Sequence, residues 1–213
     1  MAKHKVLVLT NSIEGLYSFR KELIEDLQRM GYTVFISAPY NTKTNYFSNQ
    51  NCHMINTVLD RRGTNAISDI RLFFHYRSLL KEINPDVVLT YTIKPNIFGG
   101  FACRISSTPY ITNITGLGTA IENGGLLQKG ILRLYKSGLK KAACVFFQNE
   151  SNMKFFESRN IVTGKAELLP GSGVNLTQHC FEEYPDDSDG IRFLYIGRIM
   201  KAKGIDEIGR AHV

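Results

Sequence analysis

The 213 residues, 43% hydrophobic and 21% charged, have the balance of an ordinary globular chain with room for one large or two small domains. No apolar run approaches the ~18 residues of a membrane span, and Met1-Ala-Lys-His-Lys leads straight into a strand-like run instead of a signal core, so the expected address is the cytoplasm. Net charge is +7, from 26 basic and 19 acidic residues, which favours an anionic partner, and the scattered Cys52, Cys103, Cys144 and Cys180 exclude both a disulfide framework and a Cys-x-x-Cys zinc site.

In chain order, Lys5-Val-Leu-Val-Leu-Thr10 is a short β-branched strand. The loop Asn11-Ser12-Ile13-Glu14-Gly15 leads to a helix with Leu16, Phe19, Leu23, Leu27 and Met30 at helical spacing, closed by Gly31. Thr33 to Ser37 is a second strand, followed by a polar connection from Tyr40 to Asn51 and a weaker strand near His53 to Leu59. The next helix carries Ile67, Ile70, Phe73, Phe74, the Arg77 stem, Leu80 and Ile83, and Pro85 forbids its continuation. Asp86 to Tyr91 is a buried strand, Lys94-Pro95-Asn96 starts a helix, and Tyr110 to Thr112 is a strand. Four glycines fall between Thr115 and Gly125; beyond them come a helix from about Leu126 to Ala142, a strand over Cys144 to Phe147, a helix over Asn149 to Ser158 and a strand over Lys165 to Leu169.

This alternation predicts a Rossmann-like α/β fold, a mostly parallel sheet with helices on both faces, over residues 1–181. Residues 182–190 are acidic and turn-rich and read as a linker. From Ile191 a buried strand over 192 to 196, a Gly-Arg turn and two lysines read as the start of a second domain over 191–207. Its expected helices do not follow: Ile208 to Val213 break the helix pattern, match a reading frame of a common sequencing adapter and are expected to be a non-native tail.

Ligands of parallel sheets sit beyond the carboxyl ends of the strands. The loop Asn11 to Gly15 has one glycine where a dinucleotide site wants Gly-x-Gly-x-x-Gly, so dinucleotide binding is not expected, although its amides can face an anion. Lys94 offers a charge for a phosphate or sugar oxygen, Asn96 an amide for a hydroxyl or a helix cap, and Gly99-Gly100 close helix packing. The loop holding Thr115, Gly116 and Gly118 can wrap a substrate, and Glu122 is its one carboxylate. Lys129, Arg133, Lys136 and Lys140 form a cationic stripe beside Leu127, Ile131, Leu134, Tyr135 and Leu139, a pattern suited to anionic head groups. Gly197, Arg198 and Lys203, with a helix beginning near Gly204, suit a diphosphate. No aromatic-and-basic module accompanies the charge, so nucleic acid is not expected.

The order of these motifs is more specific than any one of them. Leu169-Pro-Gly-Ser-Gly-Val-Asn175 followed by Phe193-Leu-Tyr-Ile-Gly-Arg-Ile-Met-Lys-Ala-Lys-Gly-Ile-Asp206 resembles the domain junction of family 4 glycosyltransferases, retaining enzymes of the GT-B architecture. Thr92-Ile-Lys-Pro-Asn96, Ile114-Thr-Gly-Leu-Gly118 and Phe147-Gln-Asn-Glu150 are similar to the bacterial subgroup that builds undecaprenyl-diphosphate-linked glycans. The resemblance spans residues 3 to 207. It implies that Arg198, Lys203 and Gly197 hold the diphosphate of a nucleotide-sugar donor, while Asn11, Ser12, Gly15, Lys94, Asn96, Thr115, Gly116 and Gly118 line the acceptor side. It also implies no cofactor and no required metal, with catalysis by charge compensation on the leaving group. The acceptor would be a polyprenyl-diphosphate-linked glycan, reached from the inner face of an anionic membrane by Lys129, Arg133, Lys136 and Lys140. Two departures stand out: the first loop lacks the paired glycines of many relatives, and the family's Glu-x7-Glu motif, whose carboxylates meet the donor sugar and the nucleotide ribose, is expected in the missing second half, leaving the catalytic residues unknown. About 100 to 200 residues are expected to be missing, and the fragment alone is expected to be inactive. The competing readings are a non-enzymatic membrane-surface or partner-binding module and a sugar-nucleotide epimerase of the same architecture.

Overall fold

A computed structural model describes residues 4–59, 65–117, 121, 125–184, 190, 193–197, 199 and 204. The chain divides into two compact units, Met1–Gly173 and Val174–Val213. The first contains seven strands: β1 (Lys5–Leu9), β2 (Thr33–Ala38), β3 (His53–Asn56), β4 (Val87–Tyr91), β5 (Tyr110–Ile114), β6 (Cys144–Phe147) and β7 (Ala166–Leu168). They form one sheet in the order β3-β2-β1-β4-β5-β6-β7, with every neighbouring pair parallel. Leu7, Val8 and Leu9 of the central strand are completely buried, as a parallel strand covered on both faces requires.

On one face, α1 (Ile13–Arg29) and α2 (Thr44–Asn49) pack over β1 and β2 through Ile13, Leu16, Ile24 and Phe47. The other face carries α3 (Ala66–Ile83), a π-helical turn over Pro95–Gly99 running into α4 (Gly100–Ser106), then α5 (Gly125–Leu139) and α6 (Glu150–Glu157). Right-handed crossovers dictate this division, since the chain leaves β1 in one direction for β2 and β3 and in the other for β4 to β7. Local sequence marks the helix ends. Ser12 accepts from the Gly15 N–H at the start of α1, Asn65 accepts from Ile67 and Ser68 N–H at the start of α3, and Asn84 closes α3 in the left-handed conformation just before Pro85.

Two helices are rotated relative to the faces expected from periodicity. In α1 the buried side chains are Ile13, Leu16 and Ile24, leaving Phe19 58% and Met30 72% exposed. In α3 they are Leu72, Tyr76, Leu79, Leu80 and Ile83, leaving Ile67, Ile70 and Phe74 exposed. Each helix carries two apolar stripes, and the sheet selects the one that fits. The polar connection from Tyr40 also contains α2, which has no side-chain cap. In the second unit, the strand expected over 192–196 does not form among the described residues 193–196, where Phe193, Leu194 and Ile196 are exposed. A strand needs a hydrogen-bonding neighbour, and among the described residues this unit has none. Most of the expected linker, and nearly all of 198–213, lie outside the described residues.

Glycines allow the helices to approach. A methyl on Gly99 would come 2.7 Å from Leu9 Cδ1, one on Gly100 would fall against the Gly138 carbonyl oxygen, and one on Gly138 would sit 2.6 Å from the Ile97 carbonyl oxygen. Tyr110 completes this contact: its hydroxyl donates to Gly138 O at 2.6 Å and accepts from the Lys141 N–H at 3.2 Å. Gly130 on the exposed face of α5 has nothing within 4 Å of such a methyl. Gly100→Ala is therefore expected to destabilise by about 1–3 kcal/mol, whereas Gly130→Ala stabilises by up to ~1 kcal/mol, as read by urea unfolding. Equal effects would show that the α4–α5 approach is not tight.

Candidate ligand pocket at the strand-order switch

The loops after β1 and β4 leave the sheet in opposite directions, and a pocket of about 380 Å³ opens between them. Thr10 and Ser12 come from the first loop, Gly15, Leu16, Phe19 and Arg20 from the first turns of α1, and Tyr91 and Thr92 from the end of β4. Thr115 after β5, Gln148 after β6 and Ser172 after β7 complete the wall.

Hydrogen bonds within the wall hold it in place. The Asn11 N–H donates to Thr92 Oγ1 at 3.3 Å, the Ser12 N–H to Thr10 Oγ1 at 3.3 Å, and Gln148 Nε2 to Ser172 Oγ at 3.2 Å. Thr92 has φ +74, in the left-handed region that a β-branched residue rarely enters. Such strain costs of order 1–3 kcal/mol and collects at functional sites. The Tyr91 phenol is pushed up from its ordinary value by burial, partly offset by Arg20, so it stays protonated at neutral pH. Among the described residues the lining contains no carboxylate, imidazole or thiol. It presents hydroxyls, an amide, two aromatic rings and one guanidinium, groups able to hydrogen-bond and stack against a polyol.

The expected acceptor-side residues divide. Ser12, Gly15 and Thr115 line the pocket; Asn11 presents its backbone to Thr92, and Gly116 follows Thr115 with open space around its Cα. Gly118 lies outside the described residues, as do Arg198 and Lys203, while Gly197 is described in an exposed bend of the second unit. Lys94 and Asn96 point elsewhere. Lys94 Nζ pairs with Asp69 Oδ1 at 2.7 Å, the two side chains being 12% and 20% exposed, and both border a separate cavity of about 490 Å³. Asn96 is 1% exposed and its Nδ2 donates to the Asn113 carbonyl at 3.0 Å, so its amide is turned into the core instead of towards a ligand. Phe19, Arg20, Tyr91, Gln148 and Ser172 were missed. Phe19 and Arg20 sit inside a helix pattern that offers no local signal for them, and the other three reach the pocket only because their strands are neighbours.

Lys129, Arg133 and Lys136 are exposed along α5, with Lys140 just beyond it. Of the apolar face expected beside that stripe, Leu127 and Leu134 are 51% and 45% exposed, while Tyr135 and Leu139, with Gly138, are buried. Among the described residues no group of three His, Cys, Asp or Glu is placed to hold a metal, and no helix is long and apolar enough to cross a membrane.

A parallel α/β unit with its pocket at the strand-order switch is the Rossmann-like half of a GT-B fold. The model of the family described as "Glycosyl transferase 4-like" matches residues 5–149, and the chain belongs to that family. It is 27% identical over 173 residues to a Campylobacter jejuni protein named N,N'-diacetylbacillosaminyl-diphospho-undecaprenol alpha-1,3-N-acetylgalactosaminyltransferase, covering 79% of this chain and 46% of that one. The chain thus spans about half the length of the curated relative it matches. Among solved structures it is similar to a Rickettsia africae glycosyltransferase (TM-score 0.59, 16% identity, 79% of this chain and 43% of that one). An Anabaena protein crystallised with UDP and glucose gives 0.57 at 13% identity, over 82% and 46% of the two chains. A Listeria monocytogenes protein described as a UDP-N-acetylglucosamine 2-epimerase gives 0.53 at 16% identity, over 75% and 42%. At these identities the structural likeness defines the fold alone.

Breaking the Lys94–Asp69 pair from one side leaves a largely buried charge unmatched, so Lys94→Met is expected to cost about 3–5 kcal/mol. The Lys94→Met/Asp69→Leu double variant is expected to recover most of that loss. A double-mutant cycle by denaturant unfolding measures the difference, and additive losses would refute the coupling.

Proposed function

We propose that this chain is the acceptor-side half of a retaining glycosyltransferase whose whole enzyme transfers a sugar from a nucleotide-sugar to a polyprenyl-diphosphate-linked glycan. The observation that carries the proposal is the pocket rich in hydroxyls and aromatic rings at the strand-order switch, most of whose lining falls within the stretch matched by the family model. The name of the Campylobacter relative supports a lipid-linked acceptor. A pocket whose described lining has no carboxylate or imidazole fits a half that orients the acceptor, the donor diphosphate being met by Gly197, Arg198 and Lys203 through charge compensation. The half-length coverage of that relative supports the further proposal that residues 1–213 alone do not complete transfer.

The purified chain is expected to bind a short-chain polyprenyl-diphosphate-linked sugar, at least tenfold more weakly after Thr115→Trp fills the pocket. Turnover with a panel of nucleotide-sugars should remain at background. Measurable transfer by residues 1–213 would overturn the half-site assignment, and no binding at all would overturn the acceptor assignment.

Exposed side chains support a peripheral position at the cytoplasmic face of an anionic membrane. Ile67, Ile70 and Phe74 of α3 and Leu126, Leu127 and Leu134 of α5 are exposed, and Ile70 and Leu134 among them line a groove of about 190 Å³. The groove is walled by Ile70, Phe73, Phe98, Phe101 and Leu134, and the cationic stripe of α5 runs beside it. Apolar side chains can enter the head-group layer there while each cation near the surface contributes about 1 kcal/mol. Replacing Lys129, Arg133, Lys136 and Lys140 together by Gln is expected to lower partitioning onto phosphatidylglycerol vesicles at least 100-fold, and to remove its salt dependence. Unchanged sedimentation with vesicles would refute this orientation.

A further inference from the structure

The pocket wall carries a charge that no ion pair answers among the described residues. Among those residues, Arg20 is the only ionised side chain in the wall. None of the ion pairs among the described residues includes it. The guanidinium is nevertheless held: its carbon lies 5.6 Å from the centroid of the Tyr91 ring, and Nη1 donates to the Phe19 carbonyl oxygen at 2.6 Å. Tyr91 itself is only 9% exposed and cannot move away. A planar cation stacked on a fixed ring keeps the rest of its donor fork for an incoming group, and that fork matches phosphate oxygens.

The surroundings have the same sign. The 17-residue helix α1 begins at the pocket and directs its positive end there, next to Ser12 and Gly15. Phe19, on the stripe that the sheet did not select, stands 58% exposed at the pocket wall, an apolar face against which a sugar ring can lie. Hydroxyls for a sugar and a matched donor fork for an anion therefore occur within one cavity.

We infer that the pocket takes a sugar joined directly to a diphosphate, and that Arg20 is the residue that reads the negative charge next to the sugar. The sugar half of this assignment rests on the glycan-binding function proposed above; the charge half does not. Two ligands share the chemistry, a polyprenyl-diphosphate-linked sugar and a nucleoside-diphosphate sugar, and binding distinguishes them.

Chain 1–213 is titrated by calorimetry with butyl N-acetylglucosaminyl diphosphate, with uncharged butyl N-acetylglucosaminide and with UDP, for the wild type, Arg20→Gln and Arg20→Lys. The charged glycoside is expected to bind at least tenfold tighter than the uncharged one. Arg20→Gln is expected to abolish that preference, lowering affinity for the charged glycoside at least tenfold more than affinity for the uncharged one, and Arg20→Lys to restore part of it. Loss confined to the butyl diphosphate assigns Arg20 to the lipid-linked ligand, and loss of both the butyl diphosphate and UDP assigns it to the diphosphate that the two ligands share. Both support the inference. Equal binding of charged and uncharged glycosides by the wild type, or a preference that survives Arg20→Gln, overturns it. If the uncharged glycoside fails to bind while Arg20→Gln still weakens the diphosphates, the glycan reading fails and the anion site stands. Arg20→Gln is expected to stay folded, unfolding within a few degrees of the wild type, since among the described residues the guanidinium joins no ion pair and loses only its contacts with Tyr91 and the Phe19 carbonyl.

Discussion

Everything in the first unit depends on the strand at which the sheet reverses its order. β1 pairs with β2 on one side and β4 on the other, both parallel, so its backbone is satisfied on both edges and its side chains are covered on both faces. Right-handed crossovers then leave no freedom: α1 and α2 must lie on one face and the remaining helices on the other. The loops leaving β1 and β4 consequently diverge, and the crevice between them is a product of topology before any ligand is considered. Thr10, Ser12, Tyr91 and Thr92 reach one cavity because their strands are hydrogen-bonded neighbours, though about 80 residues of chain separate them.

Close packing on the opposite face carries that crevice. Gly99 and Gly100 let the π-helical turn and α4 settle against Leu9, Thr90 and Gly138, and the same approach leaves Asn96 with a backbone carbonyl as partner. The cost is visible in buried polar atoms without partners among the described residues, Oδ1 of Asn96 and of Asn113 and the hydroxyls of Tyr76 and Tyr135. Strain at Thr92 belongs to the same account, because the chain must turn sharply from a buried strand into this tightly seated turn. Rigid packing beneath and strain above fix the position of the pocket wall.

Helices with two apolar stripes give the molecule a second set of surfaces. The sheet buries one stripe of α1 and one of α3, and the remaining ones, with Phe19 in the first and Ile67, Ile70 and Phe74 in the second, face outward. In α1 that leftover stripe borders the ligand pocket, with Arg20 beside it; in α3 it borders the groove next to the cationic side of α5. Residues that read as core in the sequence therefore stand at the surface, beside a pocket and a groove.

The sequence by itself determined the strand and helix alternation, the places of nearly all elements, the use of Gly99 and Gly100 for packing and the cationic stripe. These are local properties: β-branched runs, caps such as Ser12 and Asn65, breakers such as Pro85, and charges at helical spacing. It also located Ser12, Gly15 and Thr115, because loops after parallel strands lie at one end of the sheet whatever their detail. Only the tertiary structure decided which stripe of α1 and α3 is buried, that Lys94 is spent on Asp69, that Asn96 points inward and that Arg20 stands over Tyr91 with no ion-pair partner among the described residues. Each of those depends on how a helix is turned about its axis and which strand lies next to which, and neither quantity is encoded in the spacing of residues along a single element.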